Sequence, residues 1–174
     1  LEESRRRVNL STNLPVLLSI GGTRYDKGLD ILLEALSYIQ NKFLFLIVGK
    51  EEFFTENFIR EKLKKISKEV ILRLGVLSDD EFGWYCDAVD CIVLPYRKIF
   101  DGASGPMTEA VWRRKPVIGP SHGSLGNLIE KNDLGYTFEA ENPLSLASAI
   151  DRYVANINSF QWSELAEKYR EKIA

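Results

Sequence analysis

Phe43-Leu-Phe-Leu-Ile-Val48 is apolar at every position, odd and even alike. A strand with one wet face alternates apolar with polar, whereas an unbroken run fits a parallel strand covered by helices on both faces. Gly49 ends the run. Val16–Ile20 (VLLSI) predicts a second buried strand, closed by Gly21-Gly22. Between the two, Leu29, Leu32, Leu33, Leu36 and Ile39 recur at helical spacing and predict an amphipathic helix over 28–40. The alternation continues with a helix over 53–67, a strand at Val70–Leu74, and a helix opened by Ser78 and the acidic turn Asp79-Asp80-Glu81. A strand at Cys91–Leu94 stops at Pro95. After it come a helix over 105–114, a short strand at Pro116–Ile118, a helix near 125–131 and a strand at Gly135–Phe138. Helices opened by Pro143 and over 160–172 finish the chain. Parallel strands need a crossover each, and helices supply them. The pattern predicts an α/β fold: a Rossmann-like, doubly wound parallel six-stranded sheet with helices on both faces.

The 174 residues fit one domain, and a chain of this length buries a core without staples. A net charge of −2 argues against nucleic acid as a partner, because neutralising phosphates wants a basic excess. Arg5-Arg6-Arg7 reads as a solvated terminal segment. One histidine and two cysteines, Cys86 and Cys91, are too few for a zinc site. They fit reduced thiols in the cytoplasm. No apolar run is long enough for a membrane span. The first residue is Leu, and the expectation is a piece cut from a longer protein. Residues 1–13 read as a linker, 14–158 as the ligand-binding domain and 159–174 as a terminal helix.

In open α/β sheets ligands sit beyond the carboxyl ends of the strands. Three suggestive segments follow strands here: Gly21–Gly28, Asp101–Glu109 and Gly119–Gly126. The first is neither G-x-G-x-x-G nor a P-loop, so the usual dinucleotide and ATPase fingerprints are missing. It carries two cations instead, Arg24 and Lys27, suited to phosphate oxygens. The second sets two carboxylates, Asp101 and Glu109, eight positions apart around small residues that open a helix. Small residues let a ligand approach the backbone, and a helix start offers N–H groups to an anion. Ser104 suits the N-cap and Pro106 the first turn. Phosphates on amides and hydroxyls on acids together suit a nucleoside-diphosphate sugar. Plainer readings stand beside these: solvated loop charges for Arg24 and Lys27, a turn residue for Asp101, a helix-dipole carboxylate for Glu109. His122 reads as a surface loop residue, and Trp84, Tyr85 and Trp112 as packing groups.

GGTRYDKGLDILLEAL, FLIVG, LGVLSDDEF, VDCIVLPY, DGASGPMTEAVWRRKPVIG and the Gly123–Gly135 segment, in that order, resemble the C-terminal half of family-4 retaining glycosyltransferases of GT-B architecture. The resemblance implies that Arg24 and Lys27 hold the donor diphosphate and stabilise its departure. Ser104, Gly105 and Pro106 match the loop around the distal phosphate, Glu109 the acid on the ribose, and Asp101 the acid on the transferred sugar. Gly75, Val76 and Leu77 would lie near the base, and Gly22 and Tyr96, each following a strand, are read as further ligand-binding positions. The implied donor is a UDP-sugar, with a GDP-sugar second, and neither metal nor organic cofactor is implied. The implied partners are an N-terminal Rossmann-like domain of the same enzyme, to which 159–174 would cross back, and a carbohydrate or lipid-linked glycan acceptor. The full-length enzyme would be cytoplasmic, or peripheral to the inner face of the membrane. The 174 residues alone would bind donor weakly and transfer almost nothing. Asp101 is one methylene shorter than the family's usual Glu, and Asn127 replaces a common Glu. Those departures leave open a non-catalytic nucleotide-sugar or partner-binding module. A dehydrogenase or epimerase is disfavoured by the missing G-x-G-x-x-G and Tyr-x-x-x-Lys.

Overall fold

The computed structural model describes Leu1–Ala174. Six strands lie parallel in one sheet: β1 Val16–Ile20, β2 Leu44–Gly49, β3 Glu69–Leu74, β4 Cys91–Val93, β5 Val117–Pro120 and β6 Gly135–Phe138. Their order across the sheet is β3-β2-β1-β4-β5-β6. The chain winds from β1 to one edge, returns to the centre at β4 and winds to the other edge. The topological switch point therefore falls between β1 and β4. The helices are α1 Glu2–Arg7, α2 Leu29–Leu36, α3 Glu56–Leu63, α4 Asp79–Ala88, α5 Gly105–Trp112, α6 Gly123–Lys131, α7 Pro143–Ala155 and α8 Glu164–Ile173. None is long and apolar enough to cross a membrane.

All six residues of β2 are buried, as its unbroken apolar run requires. The two-residue period of a strand sorts them onto opposite faces. Phe45 and Ile47 join Leu17, Cys91 and Val93 in a core under α2, α3 and α7. Leu44, Leu46 and Val48 join Val16, Leu18 and Ile92 in a second core, under α4, α5, α6 and α8. Ser78 caps α4 in a full capping box with Glu81.

Three local differences from the sequence reading have identifiable causes. Helix α2 stops at Leu36 because the Gln40 and Asn41 amides donate to the Asp151 carboxylate of α7, at 3.0 and 2.9 Å. The Arg5-Arg6-Arg7 run is not wholly solvated. Arg5 lies in α1 and pairs with Asp90 at 2.9 Å while donating to the Ala88 carbonyl. Val8 and Leu10 are buried beside it. Trp84 and Trp112 are exposed rather than packed, at 36% and 50%. Helix α8 lies on the domain through Ala166 and Tyr169, and Trp162, just before it, packs on the same core.

Candidate functional site

Because all six strands run the same way, their carboxyl ends share one edge, and the loops that follow them meet there. At the switch point the β1–α2 and β4–α5 loops are drawn together by two devices. Gly28 adopts the left-handed conformation, φ 68°, and a methyl built on it would fall 1.9 Å from the Pro95 carbonyl oxygen. Only glycine permits that approach. Arg97, 9% exposed, then bridges the loops. It grips Asp30 with two hydrogen bonds of 2.8 and 2.6 Å, donates to the Tyr25 carbonyl at 2.7 Å, and lies over the Tyr25 ring at 3.9 Å. Its backbone N–H also donates to the Asp26 carbonyl, at 2.9 Å.

Lys27 points into the crevice so formed. A methyl on Gly21 would fall 2.8 Å from Lys27 Nζ and 3.9 Å from Pro106, so the ammonium lies over bare backbone beside the start of α5. Nζ is 5.9 Å from the centre of the Tyr96 ring. The buried Tyr96 hydroxyl bonds Ser104 Oγ at 2.9 Å. Burial pushes that phenol up to about 12, so it keeps its proton. Burial, and then the neighbouring Arg24 guanidinium, lower the Lys27 pKa from 10.5. No hydrogen bond spends its ammonium on protein acceptors. Arg24 is more exposed and is turned onto Asp26, whose carboxylate raises its pKa.

At the N-terminus of α5 the free amides are few. Ser104 is the N-cap and accepts from Met107 N at 3.2 Å. Pro106 has no N–H, so the first turn leaves the Gly105 amide for an anion. Glu109, one turn on, is held by Arg113, and Arg113 Nε meets Asp87 of α4 at 2.9 Å. Glu109 and Gly105 open onto a recess of about 560 Å³ with Asp79, Phe82 and Thr108. Gly75, Val76 and Leu77 immediately precede Ser78, the cap of α4, and Val76 is 81% exposed. Asp101 opens on another side, into a hollow of about 350 Å³ with Tyr96, Arg97, His122 and Gly123.

The structure thus brings together Gly22, Lys27, Tyr96, Ser104, Gly105 and Pro106 around the switch point. Glu109 stands one helical turn beyond. Asp101 and Glu109 line separate hollows, joined by the loop between them. Five residues that sequence reasoning passed over take part: Glu52 above Gly22, Arg97, Arg113, Asp79 and Phe82. Asp79, Phe82 and Arg113 had a sequence signal, the first two in a helix start that follows a strand and the third at the basic end of the helix over 105–114.

The family described as glycosyl transferases group 1 matches residues 14–156. Among curated proteins, a glycogen synthase of Thermodesulfovibrio yellowstonii is 26% identical over 94% of this chain and 36% of its own length. An uncharacterised glycosyltransferase of Methanocaldococcus jannaschii is 30% identical over 80% of this chain and 38% of its own. Among solved structures, Anabaena HepE in complex with UDP superposes with a TM-score of 0.80 at 17% identity, covering 98% of this chain and 47% of that one. The C-terminal domain of the group 1 protein LpcC from Francisella tularensis gives 0.73 at 19% identity, covering 97% of this chain and 86% of that one. The chain spans between 36% and 39% of the length of the curated relatives it matches. With a parallel sheet shared with GT-B enzymes and a family match across most of its residues, the chain belongs to the group 1 glycosyl transferases.

Proposed function

We propose that this chain is the donor-binding half of a retaining glycosyltransferase that moves a hexosyl unit from a UDP-sugar to a glycan or lipid-linked acceptor. The observation that carries the reading is the unpaired Lys27 ammonium over Gly21, beside the capped start of α5 at the switch point. A diphosphate there would meet Lys27, the Gly105 amide and, once swung from Asp26, Arg24. These cations stabilise the charge that grows on the leaving group, often a dominant contribution to catalysis. Glu109 accepts the ribose hydroxyls, held in place by Arg113, and Asp101 accepts from the transferred sugar. Positive charge builds on the sugar ring as the diphosphate leaves, and the leaving phosphate takes the acceptor's proton on the same face. Neither metal nor organic cofactor takes part. UDP leads over GDP because the relatives HepE and the TarM enzyme of S. aureus were solved with UDP. Acceptor binding belongs to an N-terminal Rossmann-like domain of the same enzyme, in the cytoplasm or at the inner membrane face. The 174 residues alone bind donor and transfer little.

Calorimetric titration of UDP, GDP and ADP into this chain tests the reading, beside an Arg24→Ala/Lys27→Ala double variant. Equal affinities for the two proteins would remove the phosphate clamp. The pH profile is a second expected outcome. A phosphate needs Lys27 as ammonium, and that lysine titrates below 10.5. UDP affinity should therefore start to fall at a lower alkaline pH than an ordinary lysine would give, with proton uptake on binding. Titrations in two buffers of different ionisation heat measure that uptake. A flat affinity up to pH ~10.4, the ordinary lysine value, would exclude the role. Arg113→Ala should free the Glu109 carboxylate to wander and weaken UDP about three- to tenfold, roughly one ordinary hydrogen bond's worth. GDP should weaken by a similar factor, because both nucleotides present the same ribose. An unchanged affinity would mean that Glu109 needs no such support.

A further inference from the structure

Glu52, from the β2–α3 loop, stands over the glycine pair. A methyl built on Gly22 would fall 1.7 Å from Glu52 Oε2, so the carboxylate fills the space that the missing side chain leaves. The loop is strapped there by Thr23, which is 4% exposed. The Glu52 N–H donates to Thr23 Oγ1 at 2.7 Å, and that hydroxyl donates to the Phe54 carbonyl at 2.8 Å. Thr23 N donates to the Lys50 carbonyl, and Phe54 N to the Thr23 carbonyl, both at 3.0 Å. Four bonds from one residue fix the backbone on either side of Glu52, and the side chain alone is free to turn. Its negative charge favours the protonated forms of both Arg24 and Lys27.

Building on the donor-site reading above, we propose that Glu52 is an internal counter-anion of the diphosphate subsite. It sits over Gly22 and offsets the charge of Arg24 and Lys27. A donor's phosphate must turn it aside, because two anions cannot share that space. Glu52 thereby sets how tightly a nucleoside diphosphate is held and how readily it leaves.

The substitution Glu52→Gln keeps the shape and removes the charge. Calorimetry with UDP and with uridine, on the wild type, Glu52→Gln, Glu51→Gln and Lys27→Ala, tests the proposal. Glu52→Gln should bind UDP about five- to tenfold more tightly, the scale of one solvent-screened charge–charge contact. Its uridine affinity should equal that of the wild type, and Glu51→Gln, at an exposed neighbouring acid, should match the wild type throughout. UDP affinity unchanged or lowered in Glu52→Gln overturns the proposal, as does an equal gain in Glu51→Gln or a parallel gain for uridine. Undiminished UDP binding by Lys27→Ala, or no UDP binding by any of the four, overturns the donor-site reading itself and the proposal with it. Melting curves of all four confirm that the comparison is between folded chains.

Discussion

Lys27→Ala should weaken UDP about 30- to 100-fold, close to 2–3 kcal/mol, while leaving the fold intact. The size follows from what the ammonium does and does not touch. It spends no hydrogen bond on protein acceptors and lies over bare backbone at Gly21. A phosphate there would receive a full charge-assisted bond, worth about 1.5–3 kcal/mol net. Removing the side chain costs the free protein little, since burial and Arg24 already disfavour its charged form. Arg24→Ala should do less, because that guanidinium is exposed and already paired with Asp26. Titration calorimetry gives both affinities, and thermal melting supplies the control for folding. A Lys27→Ala protein that binds UDP within a factor of about three of the wild type, under 1 kcal/mol, would place the phosphates elsewhere.

Gly28→Ala should damage the crevice severely. The added carbon would lie 1.9 Å from the Pro95 carbonyl oxygen, a backbone atom that cannot rotate away. The residue also sits at φ 68°, where a side chain costs about 1–2 kcal/mol before any collision. Relieving the clash means parting the β1–α2 and β4–α5 loops, and so stretching the Arg97–Asp30 pair that bridges them. A loss of roughly 3–5 kcal/mol is expected, about 6–20 °C in melting temperature for a chain of this size. Whatever folded protein remains should bind UDP poorly, with Lys27 and Tyr96 on separated loops. A drop of less than about 1 kcal/mol would show that the loops tolerate parting, since only larger losses signal a backbone mechanism.

Much of the architecture was legible because it depends on local pattern. The both-parity run at Phe43–Val48 demanded a doubly covered strand, and that single demand fixed parallel pairing, crossovers and the position of the ligand edge. That the Lys27 loop lies beside the start of α5 follows from the same logic, since loops after parallel strands must share a side. What stayed hidden depends on partners far along the chain. Helix α1 is anchored by Arg5 on Asp90, 85 residues away, and α2 is cut short by Asp151, 111 residues from Gln40. Glu52 and Arg97 belong to no motif, Arg113 lies in one without its role being readable there, and the roles of all three arise only when separate loops and helices touch. The carboxylate pair was read from spacing, yet spacing could not say which way each acid opens. Asp101 precedes the Ser104 cap and lies outside the helix, whereas Glu109 lies inside it, so the two look into different hollows.

The sheet divides the interior into two apolar bodies that meet only through its backbone, and the ligand-facing loops lie along its rim. Robustness and chemistry are therefore separable inheritances in this molecule. Substitutions that repack one interior should combine additively with those in the other, as distant sites do. Both sets should spare the rim, so that descendants of one ancestor could come to differ widely in heat tolerance while keeping the same ligand, or the reverse.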